Sequence, residues 1–410
     1  MTKSIGYGLL AFAVSASVAF ANGGEEPKST PQGGGWTYKP GSGLNYDGGD
    51  AFGLTLGNQL QVQWTFAAMD NAADTNNFTV RRARTFLAGH AFNKNINYMV
   101  RLEHLDGGAS LKDGWVQWNF SNDDSGKLGV RVGQGKTYHG LEATGSSSGL
   151  YFVERSAATR GFSDTRSRGA WIHGTMAENK LRWMAGAQNG DVATASAVTE
   201  VGEETANADN ELTYVASVNF DPMGDFVGDG KSYESFKQGT LEKSDKFVGT
   251  IGAGVMVGNH RDAAGAGAND VESTSININT AWRTGMLGLQ GEVFIRSDDN
   301  QAPAGVEEDT TGWYAQGTWT LEKSGSSDVQ WGFGVRVGQV TTDDTVTAMT
   351  GLSGIGAVAG DAMEVSGVLN AFYHGHAAKT QFEYTWQDVN PDAGTSSTNH
   401  IIRIQFQLLF

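Results

Sequence analysis

The stretch Phe52-Gly-Leu-Thr-Leu-Gly-Asn-Gln-Leu-Gln-Val-Gln-Trp-Thr-Phe66 alternates almost without a break. Phe52, Leu54, Leu56, Leu60, Val62, Trp64 and Phe66 share one parity; Thr55, Gln59, Gln61, Gln63 and Thr65 share the other. Successive side chains of a β-strand point to opposite faces, so this segment is a strand with one apolar and one polar wall. The pattern recurs downstream. Val329, Trp331, Phe333, Val335 and Val337 oppose Gln330, Gly332, Gly334, Arg336 and Gly338, and Phe382, Tyr384 and Trp386 oppose Gln381, Glu383, Thr385 and Gln387. The last residues repeat it: Ile402, Ile404, Phe406, Leu408 and Phe410 alternate with Arg403, Gln405, Gln407 and Leu409, and the chain ends on an aromatic ring.

About sixteen such strands can be placed from 52–66 to 400–410, an even number that suits a closed antiparallel barrel in a membrane. The fold class expected is therefore all-β, a transmembrane antiparallel β-barrel. Its apolar parity faces lipid and its polar parity a watery interior. No later stretch has 18 consecutive apolar residues, so no spanning helix is expected. Tight connections such as 92–95 and 283–285 suit periplasmic turns; the long polar stretches 189–210, 297–310 and 341–362 suit extracellular loops. Trp115, Trp118, Trp313 and Trp319, near strand ends, are expected in an interfacial girdle.

Composition excludes other classes. The chain has 57 Gly without a triplet repeat, 6 Pro and no Cys, which removes collagen, disulfide scaffolds, thiolate metal sites and cysteine nucleophiles. The formal charge of −16 argues against nucleic-acid binding by global positive charge. Residues 1–21 read as a cleaved signal peptide: Lys3, an apolar run from Ile5 to Phe20, and a small-x-small site at Ala19-Phe20-Ala21. Residues 22–50 read as a flexible linker and 51–410 as the barrel. The destination expected is the outer membrane of a Gram-negative cell. Lipid, lipopolysaccharide and the assembly machinery that reads a terminal aromatic strand would be its partners.

The polar parity also carries Arg82, Arg84, Arg101, Arg131, Arg182, Arg283, Arg296, Arg336 and Arg403. A cation on the lipid face of a barrel costs roughly 2–4 kcal/mol at the midplane, so inward placement is partly forced. Two readings remain open at this point. These arginines pair with interior acids such as Glu103, Asp113, Glu292 and Glu383, or they form a cationic pore wall. Residues 78–182 hold 15 of the 29 Lys and Arg against 9 Asp and Glu, which tilts the balance toward a basic interior. Segment 135–167, the third outward-facing connection, carries Lys136, His139, Glu142, Arg155, Arg160 and Arg166. Folded inward it would narrow the lumen and present cations; folded outward it would be a surface loop. Arginine suits phosphate because its planar fork donates two hydrogen bonds to paired oxygens.

Four ordered stretches resemble the phosphate-selective porin O/P family. They are Phe78-Thr-Val-Arg-Arg-Ala-Arg84, Leu111-Lys-Asp-Gly-Trp-Val116, Arg131-Val-Gly-Gln-Gly-Lys-Thr137 with Gly140-Leu-Glu142, and Phe152-Val-Glu-Arg-Ser156. The resemblance implies a sixteen-strand barrel, a homotrimer and an inward-folded third loop acting as a constriction. It implies oxyanion contact by Arg81, Arg82 and Asp113, with Lys112 beside them. Arg81 and Arg82 differ in parity, so either the strand is bulged there or one of them lies at the rim.

The function expected is a passive, water-filled channel for small anions such as phosphate. The expected contact residues are Arg81, Arg82, Arg84, Lys112, Asp113, Arg131, Lys136 and Arg155. A general or cation-preferring porin, favoured by the acidic total, and a non-conducting structural or adhesive barrel are the alternatives. No enzymatic role, cofactor or metal is expected. Ser146 to Ser148 beside His139 suit loop filler better than a catalytic trio, and His374 with His376 lacks a visible third ligand.

Overall fold

The computed structural model describes residues 35–105, 108–123, 126–163, 166–189, 212–228, 231–261, 270–300, 307–325, 327–342, 360–392 and 394–410. The expected signal peptide and most of the three long polar stretches lie outside these residues.

The alternating segments form strands, and their edges pair in chain order. After a hairpin, β1 (Gly35–Lys39) and β2 (Gly43–Asp47), come β3 (Phe52–Met69), β4 (Thr75–Ala91), β5 (Asn93–Leu105) and β6 (Gly108–Asp123). Then follow β7 (Gly126–Lys136), β8 (Arg166–Met176), β9 (Leu181–Gln188), β10 (Thr213–Phe220), β11 (Ser244–Arg261) and β12 (Asp270–Gly285). The last six are β13 (Leu287–Asn300), β14 (Glu307–Thr320), β15 (Gln330–Thr342), β16 (Gly360–Phe372), β17 (Ala378–Pro391) and β18 (Ser397–Leu409). Strands β3 to β18 make a closed sixteen-strand antiparallel barrel, sealed where β18 pairs β3 from Asn399↔Met69 to Leu409↔Gln59. Closure satisfies backbone groups that lipid cannot solvate.

The burial pattern is that of a soluble protein turned inside out. On β15, Val335 is 56% exposed while its neighbour Arg336 is 2% exposed. Gln59, Gln61 and Gln63 are buried, and Val62 and Phe406 are exposed. All nine arginines placed inward by parity lie inside the wall.

Three details depart from expectation. Trp115 is not in an exterior girdle. It shares the parity of Asp113 and Gln117 and faces inward, where the Arg131 guanidinium lies 4.2 Å from its ring, while Trp118 is exposed. Residues 35–47, inside the stretch read as a linker, form the β1–β2 hairpin, and β2 pairs β3 from Leu44↔Leu56 to Asp47↔Gly53. Its alternation is too short to stand out in the sequence; the free edge of β3 supplies its partner. Finally, one connection at the end of the tight turns is long. Most turns there are brief, such as Phe92 alone between β4 and β5, but residues 221–243 link β10 to β11.

Candidate functional site

Two β-bulges set the site. On β4, Arg82 pairs with Gln61 and the next register pair is Val80↔Val62, which leaves Arg81 as the extra residue. On β6, Asp113 pairs with Arg101 and the next pair is Leu111↔Leu102, which leaves Lys112 extra. A bulge re-aims a side chain without breaking the sheet. Arg81 and Arg82 therefore both reach the same interior carboxylate, and Lys112 and Asp113 are both buried. The bulged alternative for Arg81–Arg82 holds, and β6 repeats the device.

Three carboxylates are each shared by two cations. Glu154 meets Arg81 Nε at 2.6 Å and Arg82 Nη2 at 3.3 Å. Glu103 meets Arg84 Nε at 2.8 Å and Lys112 Nζ at 3.0 Å. Asp113 meets Arg166 Nε at 2.9 Å and Arg101 Nη1 at 2.7 Å. Burial alone would raise the Glu154 carboxyl; the Arg81 and Arg82 guanidinia outweigh it and hold the group well below the usual carboxylate range. Arg81 and Arg101 keep 25% and 22% of their side chains exposed, whereas Arg82, Arg84 and Arg166 keep 3% or less.

The connection 137–165, with short helices α1 (Leu141–Thr144) and α2 (Ala157–Phe162), is almost wholly buried among its described residues. It bonds to interior side chains across the barrel. Glu292 of β13 accepts from Leu141 N and Glu142 N, Glu383 of β17 from Val153 N, and Glu364 of β16 from Ala157 N. Arg336 donates to Glu154 O, and Asn370 and Gln381 to Tyr151 O. Wall glycines make room for its rings. The Phe162 ring stands where a Cβ of Gly312 would be, the Tyr151 hydroxyl where a Cβ of Gly332 would be, and Phe152 Cζ lies 3.2 Å from a Cβ built on Gly334.

Of the expected contact residues, Arg81, Arg82, Arg84, Lys112 and Asp113 are gathered around these shared carboxylates. Lys136 and Arg155 are turned to the segment's own backbone. Both donate to Gly145 O, at 2.7 and 3.0 Å, and they add Ala143 O and Glu142 O respectively. Arg131 stands apart, toward the tight-turn end, with Glu234 Oε1 at 2.6 Å. Parity could not find Glu154 or Glu234 as partners, because both are supplied by folded connections and not by wall strands. Glycines on the polar parity of β15 were the available signal that something large packs there.

His139 is buried, with Nε2 2.9 Å from Ser275 Oγ, and burial pushes it from an ordinary 6.5 down to about 3. The imidazole stays neutral in place, but a detached, solvated one gains a proton below about 6.5. Packing of the segment is thus undiminished above that pH and weakens as the pH falls from it toward 3. Amide exchange over 139–145, corrected for intrinsic rates, should quicken at about pH 5 relative to about pH 7, and His139→Gln should flatten the difference. Equal protection at both pH values would remove His139 as the cause.

Comparison with known proteins agrees with this architecture. Residues 52–326 match the family described as phosphate-selective porin O and P. The barrel resembles the outer membrane channel DcaP of Acinetobacter baumannii (TM-score 0.58, 10% identity, covering 88% of this chain and 98% of that one). It also resembles an anion-selective porin from Comamonas acidovorans (TM-score 0.55, 10% identity, 87% and 100%) and Pseudomonas putida OprB (TM-score 0.55, 9% identity, 88% and 94%). At these identities the likeness is one of fold. No curated protein matches the chain. A family match over more than half of the sequence, on a closed sixteen-strand barrel with a polar interior, makes this chain an outer-membrane porin that belongs to the phosphate-selective porin O and P family.

Proposed function

We propose that this porin is a passive channel for small anions such as phosphate, with the 137–165 segment as its constriction and the β4–β8 arc as its cationic wall. The observation that carries this reading is the sharing of Glu154, Glu103 and Asp113 by two cations each. The arc holds more cations than acids, as residues 78–182 do as a whole. A low-dielectric cleft responds to such local charge more than to the total of −16. Arg81 and Arg101, the more exposed members of their pairs, would exchange part of an ion's hydration shell while their carboxylate keeps the binding weak enough for release. Opposite them, Glu292, Glu364 and Glu383 are engaged by backbone N–H groups of the segment, which keeps that acid from repelling the solute.

Reversal potentials across planar bilayers in a KCl gradient test the reading. The wild-type channel should favour Cl⁻, and Arg81→Gln with Arg101→Gln should lower the Cl⁻/K⁺ permeability ratio at least about twofold. Wild-type preference for K⁺ would reject it in favour of a general or cation-preferring porin, the second reading, which the acidic total supports. Export by a cleaved segment at 1–21, a periplasmic position for the tight turns and assembly as a homotrimer belong to the same proposal. N-terminal sequencing and the mass of the detergent-solubilised oligomer check the first and last.

A further inference from the structure

The connection 221–243 rises into the barrel from the tight-turn end and meets the 137–165 segment. Asp221, Phe226, Tyr233, Phe236 and Gln238 are all buried. Gln238 fastens the two segments. Its Nε2 donates to Glu142 Oε1 at 2.8 Å, its Oε1 accepts from Tyr151 N at 2.8 Å, and its own N donates to Gly149 O at 2.8 Å. Phe226 and Phe236 pack with Leu141, Tyr233 and Ala281 beneath the Arg283 guanidinium, which lies 4.7 and 5.3 Å from the two phenyl rings. The arc toward β13–β18 is thus filled from both ends, and open volume remains on the other side. There a chamber of about 500 Å³ lies against β5–β12.

That chamber is lined by amides, including Asn97, Gln117, Asn219 and Asn279, and by Lys94, Lys127, Arg131 and Arg182. Among the described residues that line it, Glu234 is the one carboxylate. Its Oε1 lies 2.6 Å from Arg131 Nη1 and accepts from Tyr138 OH at 3.0 Å, and Arg131 in turn lies over the Trp115 ring. About a quarter of the Glu234 side chain is exposed, so its charge is felt in the chamber.

We propose that this chamber is a second selectivity element, downstream of the constriction, and that Glu234 is its specificity-determining residue. Glu234 offsets the Arg131 cation and limits how strongly an anion is held there. It is supplied by a turn-end segment, not by the wall, so the charge of the chamber is set independently of the Arg81–Arg101 arc. The inference rests on the channel reading above, but its test depends on changes relative to wild type and not on which ion wild type prefers.

The experiment measures reversal potential in a KCl gradient, and block of Cl⁻ current by inorganic phosphate, in the full-length assembled porin. Glu234→Gln is expected to raise the Cl⁻/K⁺ permeability ratio at least about twofold and to lower the phosphate concentration for half-block. Arg131→Gln is expected to lower the ratio, and the double variant to return near wild type. Ser232→Glu, which adds a carboxylate at a neighbouring lining position, should lower the ratio and serves if Glu234→Gln does not assemble. Ratios unchanged in both Glu234→Gln and Ser232→Glu would overturn the proposal, whereas a K⁺-preferring wild type that still responds to Glu234→Gln would overturn the anion reading alone.

Discussion

Gly332→Val is expected to raise single-channel conductance severalfold while leaving the barrel closed. Gly332 lies on the interior face of β15, and the space its missing side chain leaves is taken by the Tyr151 hydroxyl. That hydroxyl bonds to Trp319 O at 3.2 Å and lies 3.1 Å from Thr320 Oγ1. A branched side chain at 332 cannot share the space, so the Tyr151 ring must leave. Overpacking of this kind costs roughly 1–3 kcal/mol. The Tyr151 carbonyl, held by Asn370 and Gln381, is then displaced, at about 1 kcal/mol for each lost hydrogen bond. Valine itself suits a strand, so the wall tolerates the change. Conductance in planar bilayers, with the heat-modifiable band as a check on assembly, reads the outcome. Wild-type conductance in an assembled Gly332→Val channel would show that the segment does not limit flow.

Asp113→Ala should cost more in stability than any exposed substitution. Asp113 is 3% exposed and is held by both Arg166 and Arg101. Removing it takes from two interior guanidinia their common counter-ion, and breaking a buried pair on one side costs about 3–5 kcal/mol. Guanidinium chloride unfolding in lipid vesicles should show a loss of that order. Arg166→Met added to Asp113→Ala should recover part of it, because one of the stranded charges is then gone. Equal midpoints for wild type and Asp113→Ala would mean that solvent or another group compensates both arginines.

Much of this molecule was legible because lipid enforces a rule of two. All sixteen barrel strands lie where alternation puts them. The ends are where the pattern and the pairing part: alternation is plain over 247–257 and 273–283, whereas β11 runs Ser244–Arg261 and β12 runs Asp270–Gly285. Beyond the lipid layer a strand can continue without an apolar parity, so the pattern fades before the pairing does. The bulges at Arg81 and Lys112 were half legible. A break in parity between two adjacent charged residues signals an irregularity, but register with the neighbouring strand is needed to say which. Which acid holds which arginine was not legible, since Arg131 finds Glu234 and Arg82 finds Glu154 through folded connections that parity does not describe. The inward course of 221–243 was hidden for the same reason: its polar residues look like those of any exposed turn, and its phenyl rings find partners only in the folded barrel.

The hairpin at the start of the described chain has a consequence for assembly. Phe410 exchanges hydrogen bonds with Asn58, and just beyond that point β2 takes over the edge of β3 that β18 no longer reaches. β2 and β18 thus cover one edge of β3 between them. Until β18 is in place, the Gln59–Met69 edge of β3 is bare, and an unclosed barrel offers that margin to any other strand that can pair with it.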